Sequence, residues 1–183
     1  MKNQKTKFVI LGLLSIKPQS GYDMKKLIDK SIRHFWSESN GQLYPSLSQL
    51  VKDNYICLSV KERAREKARQ EYSITESGRS LLRTWLSERV EQKNSHRDEL
   101  LLKLFFGASC DVQLSIEQLK EREVKIQETL AQFHELEKHL EKTSNSPHHV
   151  FWSLTLKNGL LHAQTEIAWC REAIKMLEKD MSC

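Results

Sequence analysis

No apolar run in the chain approaches the roughly 20 residues that a helix needs to cross a bilayer. The stretch FVILGLLSI near the start is too short. The basic opening MKNQKTKF leads into no small-residue cleavage site, so no secretory signal is expected and the cytoplasm is the default compartment. Cys57, Cys110, Cys170 and Cys183 form no CxxC pair. That spacing removes zinc-ribbon and thioredoxin-like readings and leaves reduced structural thiols, with a redox sensor as the alternative. GxSxG, P-loop and HExxH motifs are absent, as is any Cys–His arrangement in a recognisable context, so no enzyme is expected. His148 and His149 are adjacent and diverge on a helix, with no acid or thiol placed beside them. Neither a metal nor a cofactor is expected.

What is present is charge, unevenly spread. Residues 1–96 hold 18 lysines and arginines against 10 aspartates and glutamates, a net of +8; residues 97–183 hold 11 against 14, a net of −3. That segregation points to a first half that meets a polyanion and a second half with another task. A chain of 183 residues is long enough for one domain or two small ones.

The run Phe8 to Ile16 is apolar almost all round and reads as a strand or a buried helix, ended by Pro18. Ser20 and Asp23 have capping-box spacing, and Tyr22, Met24, Leu27, Ile28 and Ile32 then recur at helical intervals, predicting a helix from Gly21 to His34. A third helix is predicted over NGQLYPSLSQL. Leu43, Leu47 and Leu50 mark its buried face, Ser39 with Gln42 forms a second capping box, and Pro45 falls soon after its start. Its other face carries Asn40, Gln42, Ser46 and Gln49. After Asp53 the period changes: Ile56, Leu58 and Val60 alternate with polar residues, as do Tyr72 and Ile74, predicting two short strands. Thr75 then caps a helix with Leu81, Leu82, Trp85, Leu86 and Val90 on one side.

Three helices, a β-hairpin and a helix make a winged helix-turn-helix, in which the second helix of the pair enters the DNA major groove. Amides and hydroxyls on its outer face suit base edges and phosphates. Tyr44 reads either as an aromatic flanking the core or as a DNA contact. Between the strands lies KERAREKARQE, which lacks the glycine, asparagine or proline of a tight turn and is rich in helix formers. Yet Lys61, Arg63, Arg65, Lys67 and Arg69 fall on every second residue. Extended chain would put all five on one side, with Glu62, Ala64, Glu66 and Ala68 on the other, and an extended basic wing is therefore preferred to a helix.

Residues 91–95 read as a polar hinge, dividing the chain into a DNA-binding domain, 1–94, and a helical dimerisation or effector domain, 95–183. Ser95 is expected to cap a short helix from Asp98 to Phe106, closed by Gly107. Ser115 and Gln118 are expected to open a long one. In it Leu119, Ile126, Phe133 and Leu140 are spaced by seven, with Ile116 and Leu130 between, which predicts a coiled-coil seam buried across a dimer axis. Ser146 and Pro147 open a final helix to about Glu178. Trp152, Trp169, Phe105 and Phe106 read as dimer core, with an effector pocket as the second reading. The fold class is mainly α, with a small two-stranded wing.

The stretches ILGLLSIKPQSGYDMKKLI, FWSESNGQLYPSLSQLVKDNYI and YSITESGRSLLRTWL resemble the PadR family of bacterial transcriptional regulators, over roughly the first 90 residues. The second half is similar to the all-helical C-terminal domain that the family's longer branch shares with virulence-gene activators. The resemblance implies a homodimer on palindromic double-stranded promoter DNA, mostly repressing and sometimes activating, and in many members a small aromatic effector such as a phenolic acid. It also implies phosphate contacts from Ser20, Gly21 and Tyr22, groove contacts from Gln42, Tyr44, Pro45, Ser46 and Gln49, and a wing between Val60 and Gln70. The rival reading is a winged-helix protein-interaction scaffold, and the excess charge of the first half speaks against it.

Overall fold

The structure is a computed structural model of the whole chain. It describes residues 3–33, 35–63, 66–90 and 98–181, and for residues 3, 4, 59–63 and 66–69 the backbone only. The chain divides into two compact units, Met1–Gln92 and Lys93–Cys183.

In the first unit the ambiguous apolar run is a helix, α1, Asn3–Ile16. Ile10, Leu11, Leu13 and Leu14 are all buried, and an element apolar on most sides must be covered on most sides. Helix α2, Gly21–Ser31, starts at the predicted cap: Ser20 Oγ accepts from the Asp23 amide at 3.2 Å and donates to its carboxylate at 2.7 Å. It stops short of the expected His34, which lies outside the described residues. Ser31 Oγ turns back onto the Leu27 carbonyl at 2.7 Å, a local bond that competes with helix propagation.

Helix α3, Asn40–Lys52, runs through Pro45 and buries Leu43, Leu47 and Leu50. It closes on Asn54, whose φ of 57° is left-handed; Tyr55 N bonds Leu50 O and Asn54 N bonds Val51 O, the paired bonds of a Schellman motif. Strands β1, Ile56–Arg63, and β2, Glu66–Ile74, form an antiparallel hairpin. Most of KERAREKARQE is thus strand, and the hairpin is longer than the apolar alternation alone indicated. Gln19 adds a bridge to Tyr72 on β2, which ties the α1–α2 turn to the base of the wing. Helix α4, Glu76–Ser87, is capped by Thr75 as expected. Leu82 is buried, and Trp85 stacks on Phe8 with ring centres 4.4 Å apart. Leu86 and Val90 do not join that face; both are exposed, and Val90 lies beyond the helix end.

The second unit holds α5, Glu99–Phe105, a short 3-10 turn, Gly107–Ser109, and two long helices, α6, Val112–Glu141, and α7, His149–Asp180. The hinge and Ser95 lie outside the described residues. Asp98 caps α5, accepting from Leu100 N at 3.0 Å and Leu101 N at 3.2 Å. Asp111, not Ser115, opens α6, accepting from Gln113 N at 2.9 Å. The expected N-cap Ser146 accepts from the His148 amide at 3.2 Å, one turn ahead of α7. No helix among the described residues is long and apolar enough to cross a membrane.

Helix α7 covers much of the spaced-by-seven seam within the same chain. Ile116 and Leu119 are buried with Cys170 and Ile174, and Trp169 packs at their side. Phe133 is buried with Leu156, Leu160 and Ala163, with Ile126, Leu130 and Leu140 around them. The helices form an antiparallel pair within one chain. Seven-residue spacing identifies a buried stripe, and an intramolecular partner satisfies it as well as a dimer does.

Candidate nucleic-acid interface

The face of α3 opposite its leucines is built from small polar side chains. Asn40, Gly41, Tyr44, Pro45, Ser48 and Gln49 are exposed, while Gln42 and Ser46 are half-buried. Leu43, Leu47 and Leu50 are 0–3% exposed, so the opposite face is the one turned to solvent. Gln49 donates from Nε2 to Asp53 Oδ1 at 2.8 Å, which leaves its own oxygen as an acceptor. Gln42 is committed differently. Its Oε1 accepts from Ser39 N at 3.1 Å and from Ser39 Oγ at 3.0 Å, closing the capping box. Ser46 Oγ donates to the Gln42 carbonyl at 2.7 Å and Ser48 Oγ to the Tyr44 carbonyl at 3.2 Å.

Tyr44 fits both of its readings. It is 46% exposed, yet its ring edge lies where a side chain on Gly21 would be, with Cε1 at 2.9 Å from the ideal Cβ position and Leu47 Cδ1 at 3.2 Å. Gly21 is therefore buried, a point of close approach between α2 and α3, not an exposed contact. Tyr22 beside it is 62% exposed. Ser20 faces Asp23 in its cap, so among the three only Tyr22 offers a free side-chain surface to a phosphate.

On the wing, Lys61, Arg63, Lys67 and Arg69 lie on the two strands, and Arg65 lies outside the described residues. Lys61 is registered opposite Arg69, but a one-residue shift between Lys61 and Arg63 places Arg63 opposite Glu66. Three more lysines, Lys17, Lys26 and Lys30, line a recess between the α1–α2 turn, α2 and β2, with Asp23 and Glu71.

The four aromatics proposed for an effector do not form one group. Trp152 and Trp169 are 17 residues apart on α7, about 26 Å at 1.5 Å per residue. Trp152 stacks on His148, while Phe105 and Phe106 pack edge to face at 5.0 Å and are both exposed. Trp169 lies beneath Arg122, whose guanidinium is 5.6 Å from the ring centre. Arg122 also pairs with Asp98 at 2.6 Å and with Glu166. Burial works against the charge on Asp98. The Arg122 hydrogen bond, the Leu101 amide, the guanidinium charge and the Leu100 amide outweigh it and hold the carboxyl below its ordinary range. Burial pushes the neighbouring Cys170 thiol up. Among the described residues no cluster of acids, histidines or cysteines fits a metal ion.

A helix seated by leucines with an amide and hydroxyl face outward, next to a two-stranded wing, defines a winged helix-turn-helix protein of the DNA-binding class. Residues 10–84 match the PadR-like family of transcriptional regulators, and residues 96–178 match the virulence activator alpha C-terminal domain. The negative transcriptional regulator PadR of Bacillus subtilis is 27% identical over 95% of this chain and 98% of its own. Its crystal structure with operator DNA, 25% identical, covers 93% of this chain and 98% of its own at a TM-score of 0.82; a structure with p-coumaric acid, also 25% identical, covers 94% and 98% at 0.76. The Vibrio cholerae virulence activator AphA, 28% identical, covers 95% and 98% at 0.74. The chain carries a PadR-like family domain followed by a virulence activator alpha C-terminal region.

Proposed function

We propose that the protein is a homodimeric repressor that reads a palindromic promoter site with α3 and holds the phosphate backbone with its wing and the α2 N-terminus. The observation that carries this is the division of α3 itself: a leucine face with almost no exposure, backed by a row of amides and hydroxyls in solvent. Asn40 and Gln49 are the base readers, because each retains amide groups that the fold does not use. Gln42 contributes less directly, since its oxygen already caps the helix. Repression is favoured over activation by the likeness to the negative regulator of Bacillus subtilis, and the likeness to AphA supports activation as the second reading.

The dimer is assigned to surfaces other than the α6 seam. Helix α7 is apolar on a second face: Val150, Phe151, Leu154 and Leu161 are each more than half exposed. Helix α5 adds Leu102 and Phe105, and Phe106 follows at its C-terminal end. Exposed apolar stripes of this extent mark an interaction surface, and a second copy covers them isologously. A small aromatic acid is the proposed effector, and p-coumaric acid bound to the relative supports that ligand class.

Titration against operator and scrambled duplex at several salt concentrations tests the DNA assignment. Gln49→Ala is expected to weaken operator binding by about 1–3 kcal/mol for the missing amide match, with little effect on scrambled DNA. Replacing Lys61, Arg63 and Lys67 together by alanine is expected to weaken both duplexes and to flatten the salt slope by about 0.9 for each phosphate no longer neutralised. A triple variant that kept the wild-type slope would remove the wing from the interface.

A further inference from the structure

Immediately before the cap of α3 lies a carboxylate that the DNA reading does not use. Glu38 is 5% exposed. Its Oε1 accepts from the Trp36 indole N–H at 2.6 Å, and its Oε2 accepts from Thr6 Oγ1 at 3.0 Å. Thr6 belongs to α1 and has no exposure at all. Burying a carboxylate is costly unless strong directional bonds replace its water, and an apolar side chain would fill the same space more cheaply. What the carboxylate supplies, and a leucine would not, is direction.

We propose that Glu38 is a positioning residue for operator recognition, fixing the rotational setting of α3 by joining its N-terminus to α1 through Thr6 and to the preceding turn through Trp36. The inference rests on α3 being the reading helix. Glu38 is followed directly by Ser39, whose amide and hydroxyl anchor Gln42, so the lock and the first turn of the helix are one continuous structure. Its negative charge also lies at the helix end that favours it. The leucines seat the middle and C-terminal part of α3; the Glu38 lock governs the end that carries Asn40 and Tyr44. A side chain projects about 5–6 Å from the helix axis, so a rotation of about 20° moves its tip by about 2 Å. Hydrogen bonds tolerate a few tenths of an ångström. Base readout is lost under such a rotation, whereas lysine and arginine contacts to phosphate adapt.

The test uses the full-length protein and an operator obtained by selecting duplexes from a random pool with the wild type. Thr6→Val and Trp36→Phe each remove one donor while keeping the packed volume. Both are expected to lower operator affinity about tenfold while changing random-duplex affinity and the salt slope less than twofold, in variants whose circular dichroism at the assay temperature remains that of the folded wild type. Glu38→Ala is expected to do the same more severely. Glu38→Gln, which retains an acceptor oxygen, is expected to restore most of the preference. If Thr6→Val and Trp36→Phe keep the wild-type ratio of operator to random affinity, or if operator and random affinity fall in parallel, the lock is structural only and the proposal is overturned. If the wild type selects no sequence at all, the reading of α3 falls with it; a wild type that selects normally beside unaffected variants overturns the lock alone.

Discussion

The space beside Gly21 is occupied by Tyr44 and Leu47, and the space beside Gly78 by the Tyr55 carbonyl, only 2.1 Å from where a Cβ would be. The two glycines predict different outcomes because their neighbours differ in compliance. At Gly21 the obstacle is the edge of a ring on a flexible side chain. Gly21 is the first residue of α2, where alanine gains less than the roughly 1 kcal/mol it gains in a helix interior, and the added methyl displaces Tyr44, so unfolding by urea is expected to change little while operator affinity falls. At Gly78 the obstacle is backbone. Gly78→Ala must separate α4 from the base of the hairpin, and a loss of about 2–3 kcal/mol in the first unit is expected in the same measurement. The motif Tyr72 to Gly78 was legible in the sequence, but the reason for its glycine was not, since Tyr55 lies 23 residues away in the chain. Gln42 teaches the same lesson: spacing identified both its capping role and its place on the outer face, and only geometry shows that the first uses the oxygen required by the second.

At the scale of elements, some caps were legible and others were not. Ser20, Ser39 and Thr75 cap the helices expected of them. Before α5 and α6, serine and aspartate compete within a few residues, and the choice falls on Asp98 and Asp111. Asp98 is further held by Arg122 at 2.6 Å. Its carboxyl is depressed in the folded protein, so its contribution is complete above the unfolded value of about 3.9 and is lost as pH falls through the folded one. Asp98→Asn keeps a capping oxygen but loses the charge. It is expected to lower stability by about 1–2 kcal/mol at neutral pH, and the gap from the wild type should close in acid melts well below pH 4. A gap that persists there would mean that the ion pair contributes nothing. The wing was legible as an extended element, but its one-residue register shift left no mark that a period-two pattern can reveal.

For the whole molecule, the division of charge between the halves of the sequence parallels the division into two units, and the all-helical second half was anticipated. Which helix covers which was not: a buried stripe spaced by seven does not name its partner, and here the partner is α7. That relocates the proposed dimer surface to residues that sequence periodicity passed over. Replacing Phe151, Leu154 and Leu161 together by serine is expected to yield a monomer in sedimentation with its helix content retained, since none of the three belongs to the α6–α7 core. Operator affinity should fall by two orders of magnitude or more, because two half-sites no longer bind as one linked event. Leu119→Ser should instead unfold the second unit.

The pairing of α6 with α7 also implies an order of events in time. Phe133 and Leu156 are separated by 23 residues, but Ile116 and Ile174 by 58. Loop-closure entropy alone separates these two pairings by about 0.8 kcal/mol. The helices therefore zip from the turn at residues 143–146 outward, and they open in the reverse order, from the end where α6 begins and α7 finishes. The brace from Arg122 to Asp98 and Glu166 sits on that late-closing side, as does Arg171 to Glu123 at 2.6 Å. Amide exchange is expected to be slowest around Phe133 and to quicken toward Ile116. Cutting the brace at Asp98 should steepen that gradient without touching the end beside the turn.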